Sequence, residues 1–411
     1  MLKVGWFDVL GVSRKDFFSV FILLVNAFTS YYMAFSMIER FQNVFNLTST
    51  ETLIMQLIYS ASVIGSSIIC SIAFNIRRLL FLYVWMILGT VSSILPILLN
   101  ATPYIWSFAL GFSLGVGMPV CLAYFADSST VENRGSISGI IFLAIYLGAA
   151  LIVTTFSLFD LTVGFALLAI WRAAGLLLFI LLKPKETITT EKKKHVTFAE
   201  VLKDKSLLLY LVPWIMFILI DRFEGPILGS YLKNPSISSA VIMGPIIGSL
   251  SAFVGGLLSD RIGRKRVVIG GFVALGLAYA VIGLAPDMLI SWYFYTAVDG
   301  IAWGILMVTF LLTLWGDLSQ VGGREKYYVI GGTPFYFTSI MESLLTSYVV
   351  QIPAYAAFSL ASFFLFIAVL PLLYAPETLP EKRIELRRLQ GYVEQAKKFT
   401  EKYTKKNGNK S

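Results

Sequence analysis

The sequence predicts an all-α integral membrane protein whose twelve transmembrane helices form two pseudo-symmetric halves of six. Three observations predict it: twelve apolar runs of bilayer length, a composition foreign to water-soluble domains, and paired motifs that recur at one long period. Of the 411 residues, 57% are hydrophobic and only 14% charged, with a mean hydropathy of +0.77. Water-soluble domains carry about 25% charged residues.

A bilayer core needs about 20 apolar residues per helix. Sliding that length along the chain gives spans at 17–38, 52–74, 79–99, 104–126, 136–158, 162–182, 207–231, 237–258, 267–285, 289–315, 327–351 and 354–374. A transmembrane barrel would show short alternating segments of about ten residues instead. Trp6, Phe7 and Asp8 lie with Arg14, Lys15 and Asp16 ahead of the first span, and no small-residue cleavage site follows it. The first helix is therefore expected to be retained.

Counting the termini and every second connection as one side places 29 of the 33 Lys and Arg residues there. The positive-inside rule then puts both termini in the cytoplasm, with the plasma membrane as the expected location. The net charge of +9 is thereby explained without a nucleic-acid partner. Cys70 and Cys121 lie inside apolar runs and His195 lies in a charged loop, so neither a disulfide framework nor a metal cluster can be assembled. No cofactor is expected and an enzyme is disfavoured.

The connection 183–206 is the one extended polar interruption before the tail, and it contains Glu191-Lys192-Lys193-Lys194-His195. It divides the chain into an N-terminal half (1–182), a linker (183–206) and a C-terminal half (207–376). A passive linker is the simplest reading, and anionic-lipid contact by its lysines is the alternative. In the tail, 377–411, Leu389, Tyr392, Val393, Ala396, Phe399 and Tyr403 recur at helical spacing among basic residues. That pattern fits an amphipathic helix lying on the membrane. Asn46-Leu47-Thr48 is a glycosylation sequon in the first loop of the opposite side.

Self-comparison relates the halves. Asp127-x-Ser129-x-Val131-x-x-Arg134 recurs as Asp317-x-Ser319-x-Val321-x-x-Arg324, and Pro184-Lys185-Glu186-Thr187 after the sixth span is matched by Pro376-Glu377-Thr378 after the twelfth. Two anchors at one period indicate parallel six-helix repeats, a transporter architecture that holds solute at the repeat interface.

Between the eighth and ninth spans runs Gly256-Leu257-Leu258-Ser259-Asp260-Arg261-Ile262-Gly263-Arg264-Lys265-Arg266. Gly256 allows close packing at a helix end and Gly263 permits a turn with positive φ. Asp260 suits the positive end of a neighbouring helix, and Arg264, Lys265 and Arg266 anchor the next helix at the headgroups.

This hinge, G-x-L-x-D-R-x-G-R-(K/R)-(K/R), resembles the signature of the major facilitator superfamily. Asp127 through Arg134-Gly135 and Pro376-Glu377-Thr378 are similar to the corresponding elements of its sugar porters. The resemblance implies ion-pair networks that lock an inner gate: Asp260 is expected at the start of the fifth helix and Arg264 at Asp317, with Gly256, Arg261, Gly263, Lys265, Asp127, Arg134 and Arg324 completing the gating set. The first-half copy is reduced to Asn75-Ile76-Arg77-Arg78, without Asp or Gly, which predicts a weaker lock on that side. Ser107 stands where many proton-coupled relatives carry Arg, and Asn26 where many symporters carry an acid. Around Tyr146-Leu147-Gly148 the Gly-x-x-x-Gly-Pro element of drug antiporters is missing, which weighs against an exporter.

An ionisable group at mid-membrane costs about 2.5–3.5 kcal/mol on insertion scales and is a functional hypothesis by default. Asp299 and Glu342 lie near mid-depth and are candidates for solute or proton handling, against a structural pairing with Arg222 or Arg172. Asp221, Arg222 and Glu224 sit beside Gly225-Pro226, where a backbone hydrogen bond is lost; they either face the pathway or neutralise one another. Arg172 reads as a peripheral, structural or snorkelling residue. Asn26, Tyr31, Tyr32, Gln56, Trp303 and Tyr336 are cavity candidates, with ordinary packing as the alternative for the aromatics. The expected protein is a monomeric secondary transporter of a small polar or anionic solute, sugar-like or carboxylate, with protons as candidate coupling ion. An exporter of amphipathic drugs and a non-transporting receptor or scaffold are the alternatives.

Overall fold

The computed structural model describes residues 7, 11–73, 77–98, 102–184, 196–319, 322–380, 385 and 389. Twelve long helices run through them: α1 Arg14–Val44, α2 Ser49–Ala73, α3 Arg78–Leu98, α4 Pro103–Ser128, α5 Arg134–Ser157, α6 Leu161–Leu182, α7 Lys205–Tyr231, α8 Pro235–Ile262, α9 Arg264–Leu284, α10 Leu289–Leu318, α11 Arg324–Val349 and α12 Ala354–Tyr374. Each expected span falls within one of them to within a few residues. No strand occurs among the described residues.

Eleven of these helices are long and apolar enough to cross a membrane. The remaining one, α11, spans 26 residues but begins Arg324-Glu325-Lys326 and carries Glu342 along with several hydroxyl side chains. Local chemistry sets the ends. Ser13 accepts a hydrogen bond from the Asp16 N–H at the start of α1, and Asp160 from Val163 at the start of α6. Two helices are irregular: α8 is broken at Ile242–Met243, and α10 passes through a π-helical turn at Thr309–Thr313. The backbone of α7 continues through Pro226.

The packing of the halves repeats with an offset of six helices. α2 packs on α4 as α8 does on α10, α3 on α6 as α9 on α12, and α1 on α5 as α7 on α11. Between halves, α5 packs on α8 and α11 on α2, again related by the same offset. Small residues make this possible, since bilayer helices associate through close backbone approach more than through apolar burial. A Cβ added to Gly256 of α8 would lie 2.9 Å from Gly139 Cα of α5.

One expectation, for Arg172, needs correction, and the 183–206 connection has a structured end: a short helix, Phe198–Leu202, is closed by a reciprocal Thr197–Glu200 cap, with Val201 fully buried. Lys326 donates to the Val196 carbonyl and Tyr327 to Asp204 at 2.9 Å, docking this stretch on α11. Arg172 does not snorkel: it is 6% exposed and donates to the Gly89 carbonyl, Ser92 and Ser113 between α3 and α4. Serines on two neighbouring helices give the guanidinium acceptors that an approach to the membrane surface would otherwise supply. The lysines at 192–194, Glu186 and the amphipathic pattern from Leu389 onward lie outside the described residues, apart from Leu389 itself. Asn46 is exposed.

Candidate functional site

At one end of the bundle the hinge charges form a buried network across both halves. Gly263 adopts φ 104°, a conformation open to glycine, and reverses the chain between α8 and α9. Asp260 accepts from the N–H groups of Gly135 (3.0 Å) and Ser136 (2.6 Å), the second and third residues of α5. A carboxylate there satisfies orphan donors and meets the positive helix end. Arg264 is fully buried, 2.6 Å from Asp260, and its Nε lies 3.1 Å from Asp317. Asp317 also pairs with Arg134 of the first half.

Glu377 completes the hinge by accepting from the Arg264 N–H at 2.8 Å, while Thr378 donates to Asp317 at 3.2 Å. Lys265 donates to the Leu373 carbonyl; Arg261 is exposed. The Pro-Glu-Thr element thus caps α9 and supports the hub, and Gly256, Asp260, Gly263, Arg264, Arg134 and Asp317 lie together as the motif spacing suggests.

The first half carries its own set of ion pairs at this end, although its hinge motif is reduced. Arg78, the first residue of α3, pairs with Asp127 and with Glu325 of α11, and Asp127 also pairs with Arg324. Arg78–Asp127 and Arg324–Asp127 are the pseudo-symmetric counterparts of Arg264–Asp317 and Arg134–Asp317. The first-half hinge has lost its Asp and Gly but kept its arginine, and Glu325 supplies an acid from the partner half. Arg77 is exposed.

Further from the hinge, aromatic side chains fill the space between halves. Tyr31 packs on Phe335 (5.8 Å), on Tyr336 (5.7 Å) and, in an edge contact, on Tyr32 (5.4 Å). Gln56 accepts from Ser343 across the α2–α11 interface at 2.9 Å. Arg222 lies 4.9 Å over the Phe335 ring and 3.7 Å from Glu342. Asn26 is drawn away from this group: it donates to the Trp171 carbonyl of α6.

Beside that layer lies a cavity of about 270 Å³ walled by α7, α8 and α10, with Tyr146 as its lining residue from the first half. It brings together Asp221, Glu224, Asp299 and Trp303. Trp303 donates to Asp221 at 2.8 Å, and its ring meets Tyr146 edge-on at 5.1 Å. Glu224, buried, accepts from two phenols, Tyr279 and Tyr295. Neither Tyr279 nor Tyr295 is among the candidates that the sequence singles out. A signal existed in the four-residue spacing of Tyr295, Asp299 and Trp303 on α10, which places them on one face. Glu342 and Asp299, expected as equivalent acids, have different surroundings: Glu342 faces Arg222, whereas Asp299 faces the cavity.

No protein-family model matches the chain, and no curated protein is significantly similar to it in sequence. Solved structures do resemble it. The major facilitator superfamily proton:xylose symporter XylE, bound to 6-bromo-6-deoxy-D-glucose, superposes with a TM-score of 0.68 at 16% identity, covering 88% of this chain and 96% of its own. The human organic anion transporter MFSD10 (TETRAN) gives a TM-score of 0.64 at 14% identity, covering 87% and 99%. The chain has the major facilitator fold.

Proposed function

We propose that this protein is a secondary transporter that moves a small polar solute across the plasma membrane by alternating access, with both termini and the hinge in the cytoplasm. The observation that carries the reading is the pair of buried ion-pair hubs, Asp317 and Asp127, each bridging the two halves at one end of the bundle. Such hubs hold one end shut and can come apart as units when the halves rock, the rigid-body behaviour expected of parallel repeats. The division into 1–182, 183–206, 207–376 and a tail from 377 follows from this reading, with the linker's docked end held on the second half.

The fold neighbours are a sugar symporter and an organic anion transporter by description. Fold does not fix substrate. The acids around the cavity support a neutral or cationic solute over the carboxylate considered from the sequence. Coupling protons have candidate carriers in Asp299 and Glu342, because a carboxyl that moves between a dry environment and one beside a guanidinium changes its proton affinity.

A second reading, export of amphipathic compounds, has one observation in its favour. An apolar pocket of about 550 Å³ lies between α7 and α12, lined by Ile220, Phe223, Ile227, Phe358 and Phe364, and Glu224 lines both it and the cavity. Proteoliposomes containing the full chain separate these readings when offered D-xylose, L-lactate, 2-phenylethylammonium and ethidium, with and without a pH gradient. Accumulation of one of the three small solutes supports the transporter, and ethidium efflux alone supports the exporter. Binding without flux under any gradient makes the chain a receptor.

A further inference from the structure

Resting on the reading of the cavity as the solute site, we propose that its ligand is a small organic cation, a protonated amine held by Asp299 and by the aromatic faces of Trp303 and Tyr146.

The first argument is charge. Asp221, Glu224 and Asp299 line the cavity, and no Lys, Arg or His does. The nearest base in sequence, Arg222, turns to α11, between Glu342 and the Phe335 ring. The three acids are not equivalent. Glu224 is occupied by Tyr279 and Tyr295, and Asp221 by the Trp303 indole. Asp299, half-buried, has no hydrogen-bond or ion-pair partner among the described residues, and a carboxylate partly withdrawn from water is costly until something positive meets it.

The second argument concerns atoms other than carboxylates. Thr296 is 4% exposed and lines the same cavity, yet its hydroxyl has no partner; the Tyr146 hydroxyl, also buried and in the lining, has none either. Buried hydroxyls are normally satisfied, so two unpaired ones around one space mark a site built for a group that bonds to them. A proton taken up by Asp299 alone would neutralise the acid and leave both hydroxyls unpaired. A metal ion is a poor fit: among the described residues no three acidic, His or Cys side chains are grouped closely enough to hold one. An ammonium supplies several N–H donors, to Asp299 and Thr296, while its charge lies against ring faces. The volume of about 270 Å³ lies just below the roughly 300–1,000 Å³ range of ligand pockets, which limits the ligand to a compact amine.

The test uses the purified full-length chain and three probes of nearly one shape: 2-phenylethylammonium, 2-phenylethanol and 3-phenylpropanoate. Binding is read by calorimetry and by quenching of Trp303 emission, with Trp303→Phe as the reference for the signal. The ammonium is expected to bind at least about tenfold more tightly than either analogue, as expected for a cation facing a half-buried, unpaired carboxylate and ring faces. Asp299→Asn should lose most of that preference, Asp299→Glu should restore part of it, and Thr296→Val should weaken the ammonium alone. Equal or tighter binding of the alcohol or the propanoate by the unaltered protein overturns the proposal, and so does failure of the ammonium to bind at millimolar concentration. The comparison on the unaltered chain decides even where a variant fails to fold. Flux of D-xylose in vesicles, indifferent to the ammonium, would remove this proposal and leave the transporter reading standing; ammonium binding with no flux of any solute would do the reverse.

Discussion

Replacing Asp317 with Asn removes the charge of the hub while keeping its shape, and the consequence can be worked out from its neighbours. Asp317 faces Arg134, Arg264 and Thr378, and it is 2% exposed. Arg264 would keep Asp260 at 2.6 Å, whereas Arg134 would keep only neutral partners, the Ala126 carbonyl at 2.8 Å and Ser129. Leaving one buried charge uncompensated costs about 3–5 kcal/mol. That cost falls on the hinge-closed arrangement alone, since opening the hinge end lets water reach Arg134. At 1.4 kcal/mol per decade, the ratio of closed to open forms should fall about a hundredfold to several thousandfold. Thr313 of α10 donates to Ser138 of α5 across the interface just inside the lock, and both are buried. In a background with Cys70 and Cys121 replaced by Ala, Thr313→Cys should react slowly with a membrane-impermeant maleimide added at the hinge side, and much faster once Asp317→Asn is added. Exposed Arg261→Ala is the control and should change nothing. Labelling at position 313 that stays slow in the Asp317→Asn protein would refute the gate.

The remaining predictions rest on the same geometry. Arg77→Ala should leave that labelling rate unaltered, whereas Arg78→Ala, which strips a partner from Asp127 and Glu325, should raise it. Gly256→Leu should weaken the α5–α8 contact by about 1–3 kcal/mol, the cost of overpacking, seen as a lower melting temperature in detergent and looser hinge closure. Glu342→Gln, at a side chain beside Arg222 and outside the cavity lining, should abolish accumulation driven by a pH gradient while sparing solute-for-solute exchange; normal accumulation in that variant would place the proton relay elsewhere.

The legible parts of this molecule are those whose physics is local or repeated. Spans were readable because the bilayer demands a continuous apolar run, and the hinge because its charges and glycines recur at fixed spacing beside the Asp127 and Asp317 copies. What could not be read depends on which faces meet. Arg172 looks peripheral by its position in the sixth span, yet Ser92 and Ser113 from two other helices receive it. Arg78 looks like the remnant of a decayed motif until Glu325 arrives from the other half. Tyr279 and Tyr295 resemble any membrane aromatics, and only the fold aims both phenols at Glu224. Asn26, chosen by its alignment with symporter acids, is turned to Trp171 by the packing of α1 on α6.

The central claim is that the two halves rock about the centre, closing one end as the other opens. Electron–electron double resonance measures it directly on two label pairs at exposed positions, 77 with 261 at the hinge end and 46 with 233 at the opposite end. Adding Asp317→Asn should lengthen the first distance and shorten the second, with two populations exchanging weight in step. Distances that stay fixed at both ends, or that lengthen at the hinge end with no change at the other, would contradict alternating access.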